Sequence, residues 1–225
     1  MSIKTVSLSH QFNNQSVLNG ISLDIPTGSC CALIGANGSG KTTLLKILSG
    51  IITPSSGTVL INGTDIQQDS CAIRASQGCV FNAEQGFYQM LTVYENMRFF
   101  AALYGVSGTS FEERFVALTA QFDIDSYKDT RMDRCPSGIR QRCALIRALI
   151  HSPTILIIDE LNRSIDSEMR PRLIDYIKKT ITAHKITAMV VTHDIAEAHA
   201  LGGHIARLNN GALEMIKGPS YKQSS

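Results

Sequence analysis

The sequence predicts an α/β fold with a parallel-sheet core, an antiparallel β part at the N-terminal end and an inserted helical part. Three features of the hydrophobic pattern carry this expectation. Residues 30–34, 155–158 and 188–192 are short, nearly unbroken apolar runs, the pattern of strands covered on both faces. Residues 21–25 alternate apolar with polar, and 3–8 do so more weakly, as half-buried antiparallel strands do. From 92 to 122, Val93, Met97, Phe100, Leu103 and Tyr104 recur at intervals of three and four, the helical period.

Taken in order, the N-terminal alternating segments read as short antiparallel strands separated by polar turns. The run at 30–34 ends in glycines and leads into a helix over 42–48. A Thr-Pro-Ser-Ser-Gly turn at 53–57 precedes a strand at 58–61, and another strand is expected at 78–81. The helical lobe is expected over about 84–145. Near its end, Ile139, Cys143, Ile146 and Leu149 share one face of a helix. Strand 155–158, helix 169–179 and strand 188–192 make a parallel unit. Residues 205–208 and 212–216 flank Asn-Asn-Gly, a hairpin signal, and the polar tail from Lys217 is expected to be mobile. The length suits one domain spanning 1–225 with the helical lobe inside it.

Composition narrows the function classes. With 44% hydrophobic and 18% charged residues the chain is globular, and a net charge of +2 leaves no electrostatic footprint for nucleic acid. No apolar run approaches the roughly 18 residues of a membrane span, and the opening MSIKTVSLSH lacks the apolar core of a signal peptide, so a cytosolic chain is expected. The cysteines at 30, 31, 71, 79, 135 and 143 form no CxxC pair and read as reduced, mostly core thiols.

Three motifs carry chemistry. GANGSGKTT at 35–43 satisfies G-x-x-x-x-G-K-[ST] between an apolar strand and a helix. Gly35, Gly38 and Gly40, with Asn37, Ser39 and Thr43, would wrap backbone N–H groups round phosphate oxygens at a helix N-terminus. Lys41 would reach the β and γ phosphates of a nucleoside triphosphate, and Thr42 would ligate Mg2+. ILIIDE at 155–160 ends a strand in two carboxylates, where Asp159 would face the Mg2+ shell and Glu160 would polarise a water; strand alternation puts the two on different sides. VVTHD at 190–194 ends another strand in His193, suited to sensing a γ phosphate, although a strand-end histidine is more often a packing or surface residue. The remaining histidines, His10 among them, read as structural or surface residues.

In this order, with helices inserted between the first and second, the motifs resemble the nucleotide-binding subunit of ATP-binding cassette transporters over nearly the whole chain. The resemblance implies a P-loop NTPase (RecA-like) core, ATP and Mg2+, and an ATPase that drives a membrane transporter. Its partners would be an integral membrane permease and a second cassette ATPase, in a homodimer or a hetero-pair, with no nucleic acid. Its place would be peripheral, at the cytoplasmic face of the cell membrane. Phe12 is similar to the aromatic that stacks on adenine, though it also suits simple core packing, and Asp166 to the aspartate closing the loop after the catalytic carboxylate. The family's glutamine ligand to Mg2+ falls near Ala83 or Glu84 by an ungapped count from Leu91, and Gln85 fits only with a shift. GFYQMLT, FFAALYG and NRSID resemble a branch serving lipid or glycan exporters.

RCPSGIRQR at 134–142 is similar to the family signature LSGGQ plus a basic residue, aligned through Gly138. In the family this element completes the partner's ATP site. Here Pro136 stands at the serine position and offers neither hydroxyl nor N–H. Ser137 supplies a hydroxyl one position late, and the N–H groups of Gly138 and Ile139 lie at the helix start. Two readings follow: an ATP-hydrolysing subunit of a transporter, more an exporter than an importer, and a slowly or non-hydrolysing nucleotide-gated module in a hetero-pair.

Overall fold

The computed structural model describes residues 2–81, 86–160 and 170–217. Its central sheet holds β3 (Cys30–Ile34), β6 (Gln77–Val80), β7 (Ile155–Ile158), β8 (Thr187–Val191), β9 (His204–Asn209) and β10 (Ala212–Lys217), in the order β10-β9-β3-β8-β7-β6. All neighbours pair in parallel except β9 and β10, the hairpin expected around Asn-Asn-Gly. Alternate residues of the inner strands feed two cores. Cys31, Leu33, Ile155, Ile157, Met189 and Val191 join the core on one face, whereas Ala32, Ile34, Leu156, Ile158, Ala188 and Val190 join the other. Both faces are covered, which is why these strands read as continuous apolar runs.

The second sheet is antiparallel, ordered β2-β1-β4-β5, with β1 (Ile3–Phe12), β2 (Gln15–Ile25), β4 (Ser56–Ile61) and the short β5 (Thr64–Asp65). Its first strands are much longer than the sequence reading of short strands. The β1–β2 register shifts between Thr5 and Leu8, Leu8 and His10, and His10 and Gln11. Each bulge resets the in-out alternation, so the period-2 signal dies while the pairing continues. Helix α1 (Lys41–Leu48) buries Leu44, Leu45, Ile47 and Leu48 in the core shared by the two sheets.

The opposite face carries the later helical elements, from Val93 onward. The expected helical region divides into α3 (Val93–Leu103) and α4 (Gly108–Gln121), after the short α2 (Ser70–Ala75), which the sequence reading omits. Helix α3 starts with a capping box: Thr92 Oγ1 accepts from Glu95 N–H (3.1 Å) and Glu95 Oε2 from Thr92 N–H (2.8 Å). Helix α5 (Ser137–Leu149) buries Ile139, Cys143, Ile146 and Leu149 as its periodicity predicts. Its Arg147 lies over the rings of Phe87 (4.5 Å) and Phe100 (5.0 Å) and donates to the Gly86 carbonyl (2.7 Å), tying the segment after β6 to the lobe. Helices α6 (Arg170–His184) and α7 (Ile195–Leu201) complete this face, and the sequence reading omits α7. Of the tail expected to be mobile, Lys217 ends β10 and the rest lies outside the described residues. No described helix is long and apolar enough to cross a membrane.

Candidate functional site

The loop between β3 and α1 is shaped by what its glycines exclude. A Cβ on Gly35 would lie 2.3 Å from the Leu208 carbonyl oxygen of β9 and 2.9 Å from Ser39 Oγ. Gly40, the N-cap of α1, has φ 102°, and a Cβ there would lie 2.9 Å from Leu18 Cδ2 and 3.0 Å from the Val17 carbonyl oxygen. The loop is therefore clasped between the two sheets, while its outer curve at Asn37 and Gly38 stays exposed. Ser39 Oγ is buried with no hydrogen-bond partner among the described residues. An orphaned hydroxyl in a curl of backbone suits an incoming oxyanion.

Lys41 is 6% exposed, and its Nζ donates to the carbonyls of Gly35 (2.9 Å) and Ala36 (2.8 Å). Burial pulls its pKa below the ordinary lysine value, and the carboxylates of Glu160 and Asp159 push it back up. Both acidic residues thus act on this ammonium from the end of β7. The first turn of α1 carries no acidic residue, which leaves the helix N-terminus open to phosphate. Thr42 is exposed in that turn and Thr43 is half-buried.

The sequence reading put Asp159 and Glu160 on different sides by alternation. Strand β7 ends at Ile158, and Glu160 takes a left-handed φ of 55°, so strand alternation does not govern these two side chains. Asp159 donates its N–H to the Val80 carbonyl (2.8 Å), which anchors the turn to β6. Glu160 Oε1 lies 2.8 Å from His193 Nε2, just past the end of β8. Lys41, Asp159, Glu160 and His193 therefore follow the carboxyl ends of three neighbouring strands, β3, β8 and β7, the ligand position of an open parallel sheet. Exposed Thr42 and half-buried Asp159 offer only oxygen donors, the ligand type that suits Mg2+.

Sequence reasoning missed a pair behind His193. Thr192 Oγ1 donates to Glu197 Oε2 (2.5 Å) and accepts from Asp194 N–H (3.1 Å), with Thr192 2% and Glu197 7% exposed. The hydroxyl so pins both sides of the turn that carries the histidine. Asp194 is the N-cap of α7, and Asp-Ile-Ala-Glu has the three-residue spacing that would have betrayed this helix start.

Phe12 ends β1 and is 46% exposed, which removes the core-packing alternative. At the signature-like stretch, Pro136 is the N-cap of α5 and makes no side-chain cap bond. Ser137 and Gly138 begin the helix, and a Cβ on Gly138 would meet nothing within 4 Å. The expected pair of available N–H groups shrinks, because Ile139 N–H already donates to the Pro136 carbonyl (3.0 Å). Glu84 and Asp166, read as a Mg2+ ligand and a loop-closing residue, lie outside the described residues. Among the cysteines, burial pushes the thiols of Cys30, Cys79 and Cys143 up to about 12, so they are inert core groups.

A family model described as ABC transporter matches residues 18–162. The Fe(3+) ions import ATP-binding protein FbpC of Escherichia coli is 31% identical over 219 residues, covering 96% of this chain and 62% of that protein. The sulfate/thiosulfate import ATP-binding protein CysA of Pseudomonas syringae pv. tomato is 33% identical over 223 residues, 97% of this chain and 68% of that one. The chain thus spans from about three-fifths to just over two-thirds of these relatives' length. A solved dimeric ATP-binding cassette, in a post-hydrolysis state bound to ADP and Pi, superposes with a TM-score of 0.84 at 25% identity, over 96% of this chain and 99% of that one. Both named relatives are import proteins, so the likeness to a lipid- or glycan-exporting branch finds no support in them. With the matched residues running from β2 through the phosphate loop to the end of β7, the chain belongs to the ABC transporter family.

Proposed function

We propose that the chain is the ATP-binding and ATP-hydrolysing subunit of a membrane transporter, working as a head-to-tail dimer whose closure is driven by ATP. The observation that carries this reading is the 2.8 Å contact of Glu160 with His193 beside the Lys41 loop. It holds a carboxylate next to a phosphate cradle, the position a water-activating group needs. Lys41 exchanges the Gly35 and Ala36 carbonyls for β- and γ-phosphate oxygens, and the orphaned Ser39 hydroxyl gains a partner. Glu160 orients the attacking water or takes its proton, and His193 steadies Glu160 while facing the γ phosphate. Mg2+, when bound, neutralises charge on the phosphates. Thr42 and Asp159 are the residues to hold it, with Glu84 as a further candidate. Phe12 receives the adenine, and Asp166 closes the loop after Glu160.

Ser137 and Gly138 complete the site of the opposite subunit. The domain spans 1–225, and the helical lobe, about 84–145, meets an integral permease. Exposed Tyr88 and Phe99, in edge contact at 4.8 Å, together with Leu103 give that lobe an apolar surface suited to the contact. The chain sits peripherally at the cytoplasmic face of the cell membrane. For direction, the relatives' names favour import over the export expected from sequence.

Pro136 supports a second reading, a hetero-pair in which this chain spoils only its partner's site and hydrolysis is slow. The N-cap of α5 offers that site no side-chain hydroxyl and no N–H of its own. MgATP turnover by the purified chain over a range of protein concentrations, with Glu160→Gln as control, separates the two. Specific activity that rises with concentration and vanishes in the control supports self-pairing. Binding without turnover supports the hetero-pair, and no binding overturns both.

A further inference from the structure

We propose that His10, backed by Ser55, is a positioning residue for base recognition: it fixes the Phe12 ring in the plane on which a purine stacks. The inference rests on the reading of Phe12 as the adenine platform and deepens it. Within β1 the two residues sit two positions apart across the register shift at His10 and Gln11, with His10 8% exposed and Phe12 46%. Their ring centroids are 4.5 Å apart with planes at 81°, an edge-to-face pair.

The imidazole is itself oriented. Ser55 Oγ accepts from Gln11 N–H (3.2 Å) and shares a hydrogen bond with His10 Nδ1 at 3.4 Å. The ring's other nitrogen, Nε2, is buried with no partner among the described residues. A buried, unpartnered ring nitrogen is unfavourable whether it is donor or acceptor, and a leucine or phenylalanine would fill the same space without it. Packing alone therefore does not ask for histidine here. A flat ring with its plane set by a hydrogen bond does what an aliphatic side chain cannot: it holds the exposed Phe12, otherwise free to move between rotamers, in one orientation.

The same register fixes the platform relative to the phosphates. His10 pairs with Leu18 of β2, and Leu18 Cδ2 is the atom that a Cβ on Gly40 would meet at 2.9 Å. Base platform and phosphate cradle are thus parts of one packed unit, pre-organised for a ligand that spans both.

The test compares dissociation constants for MgATP and for magnesium tripolyphosphate, which lacks a base. Phe12→Ala is expected to weaken MgATP roughly tenfold and leave tripolyphosphate unchanged, from the usual worth of base stacking. His10→Ala is expected to weaken MgATP about three- to tenfold, leave tripolyphosphate unchanged, and add no loss in the Phe12→Ala background. Unchanged MgATP affinity in His10→Ala, equal loss for both ligands, or additive loss in the double variant overturns the proposal. If Phe12→Ala itself fails to separate the two ligands, the platform reading falls and takes the proposal with it. Should His10→Ala not fold, Ser55→Ala at an exposed position decides: a selective loss for MgATP upholds the proposal, and none overturns it.

Discussion

Removing the Lys41 ammonium tests the nucleotide site most directly. Its Nζ makes two bonds at 2.8–2.9 Å to loop carbonyls, and in the proposed bound state these are exchanged for bonds to phosphate oxygens. A hydrogen bond between charged groups contributes about 1.5–3 kcal/mol, so two would contribute about 3–6 kcal/mol. Giving up the carbonyl bonds offsets part of this and leaves a net of about 3 kcal/mol. Lys41→Ala should therefore weaken MgATP about a hundredfold by equilibrium titration. AMP has no β or γ phosphate and should bind both proteins alike. Equal weakening of MgATP and AMP, or of neither, would refute the reasoning. The pH dependence carries a sign as well. Burial lowers the Lys41 pKa in the free protein, and bound phosphate favours its charged form, so binding takes up a proton once the free amine is neutral. MgATP affinity should hold below that lowered pKa and fall as pH rises through it, short of the ordinary lysine range. Lys41→Arg, charged throughout, should flatten the fall.

Glu160→Gln should keep MgATP affinity and lower kcat by about 10²–10⁴, the usual contribution of a general base. Thr192→Val keeps the shape but leaves Glu197 without its hydroxyl donor and Asp194 N–H without its acceptor; a stability loss of about 1–3 kcal/mol in denaturant and a kcat that falls more than KM rises are expected. Gly35→Ala forces a methyl against the Leu208 carbonyl and should cost about 1–3 kcal/mol, seen as a lower Tm together with lost MgATP binding. Pro136→Ser should raise turnover up to about tenfold if the missing hydroxyl limits closure, whereas unchanged turnover means that Ser137 and the backbone suffice.

The central sheet was legible because double-sided burial writes itself into 30–34, 155–158 and 188–192 as unbroken apolar runs, and the phosphate loop because its chemistry fixes residue types at fixed spacing. The length of β1 and β2 was not legible, since bulges cancel alternation while sparing the hydrogen bonds. Helix α7 was hidden by its brevity, although its Asp194 cap was in plain sight. Side-chain direction at Glu160 needed coordinates: a residue with positive φ obeys no strand period. The bond between Thr192 and Glu197 was obscured for another reason, because neither residue type announces a buried partner.

The clasped phosphate loop has a mechanical corollary. One flank presses on Leu208 of β9 and the other on Val17 and Leu18 of β2, and Asn19 N–H bonds the Gly211 carbonyl (2.8 Å) at the tip of the β9–β10 hairpin. The loop is thus a keystone between two arches rather than a flap on one of them. The proposed nucleotide would meet it from its exposed outer curve. A nucleotide seated there would act as a splint across both sheets, and a pull that shears one against the other would be felt first as a change in its off-rate.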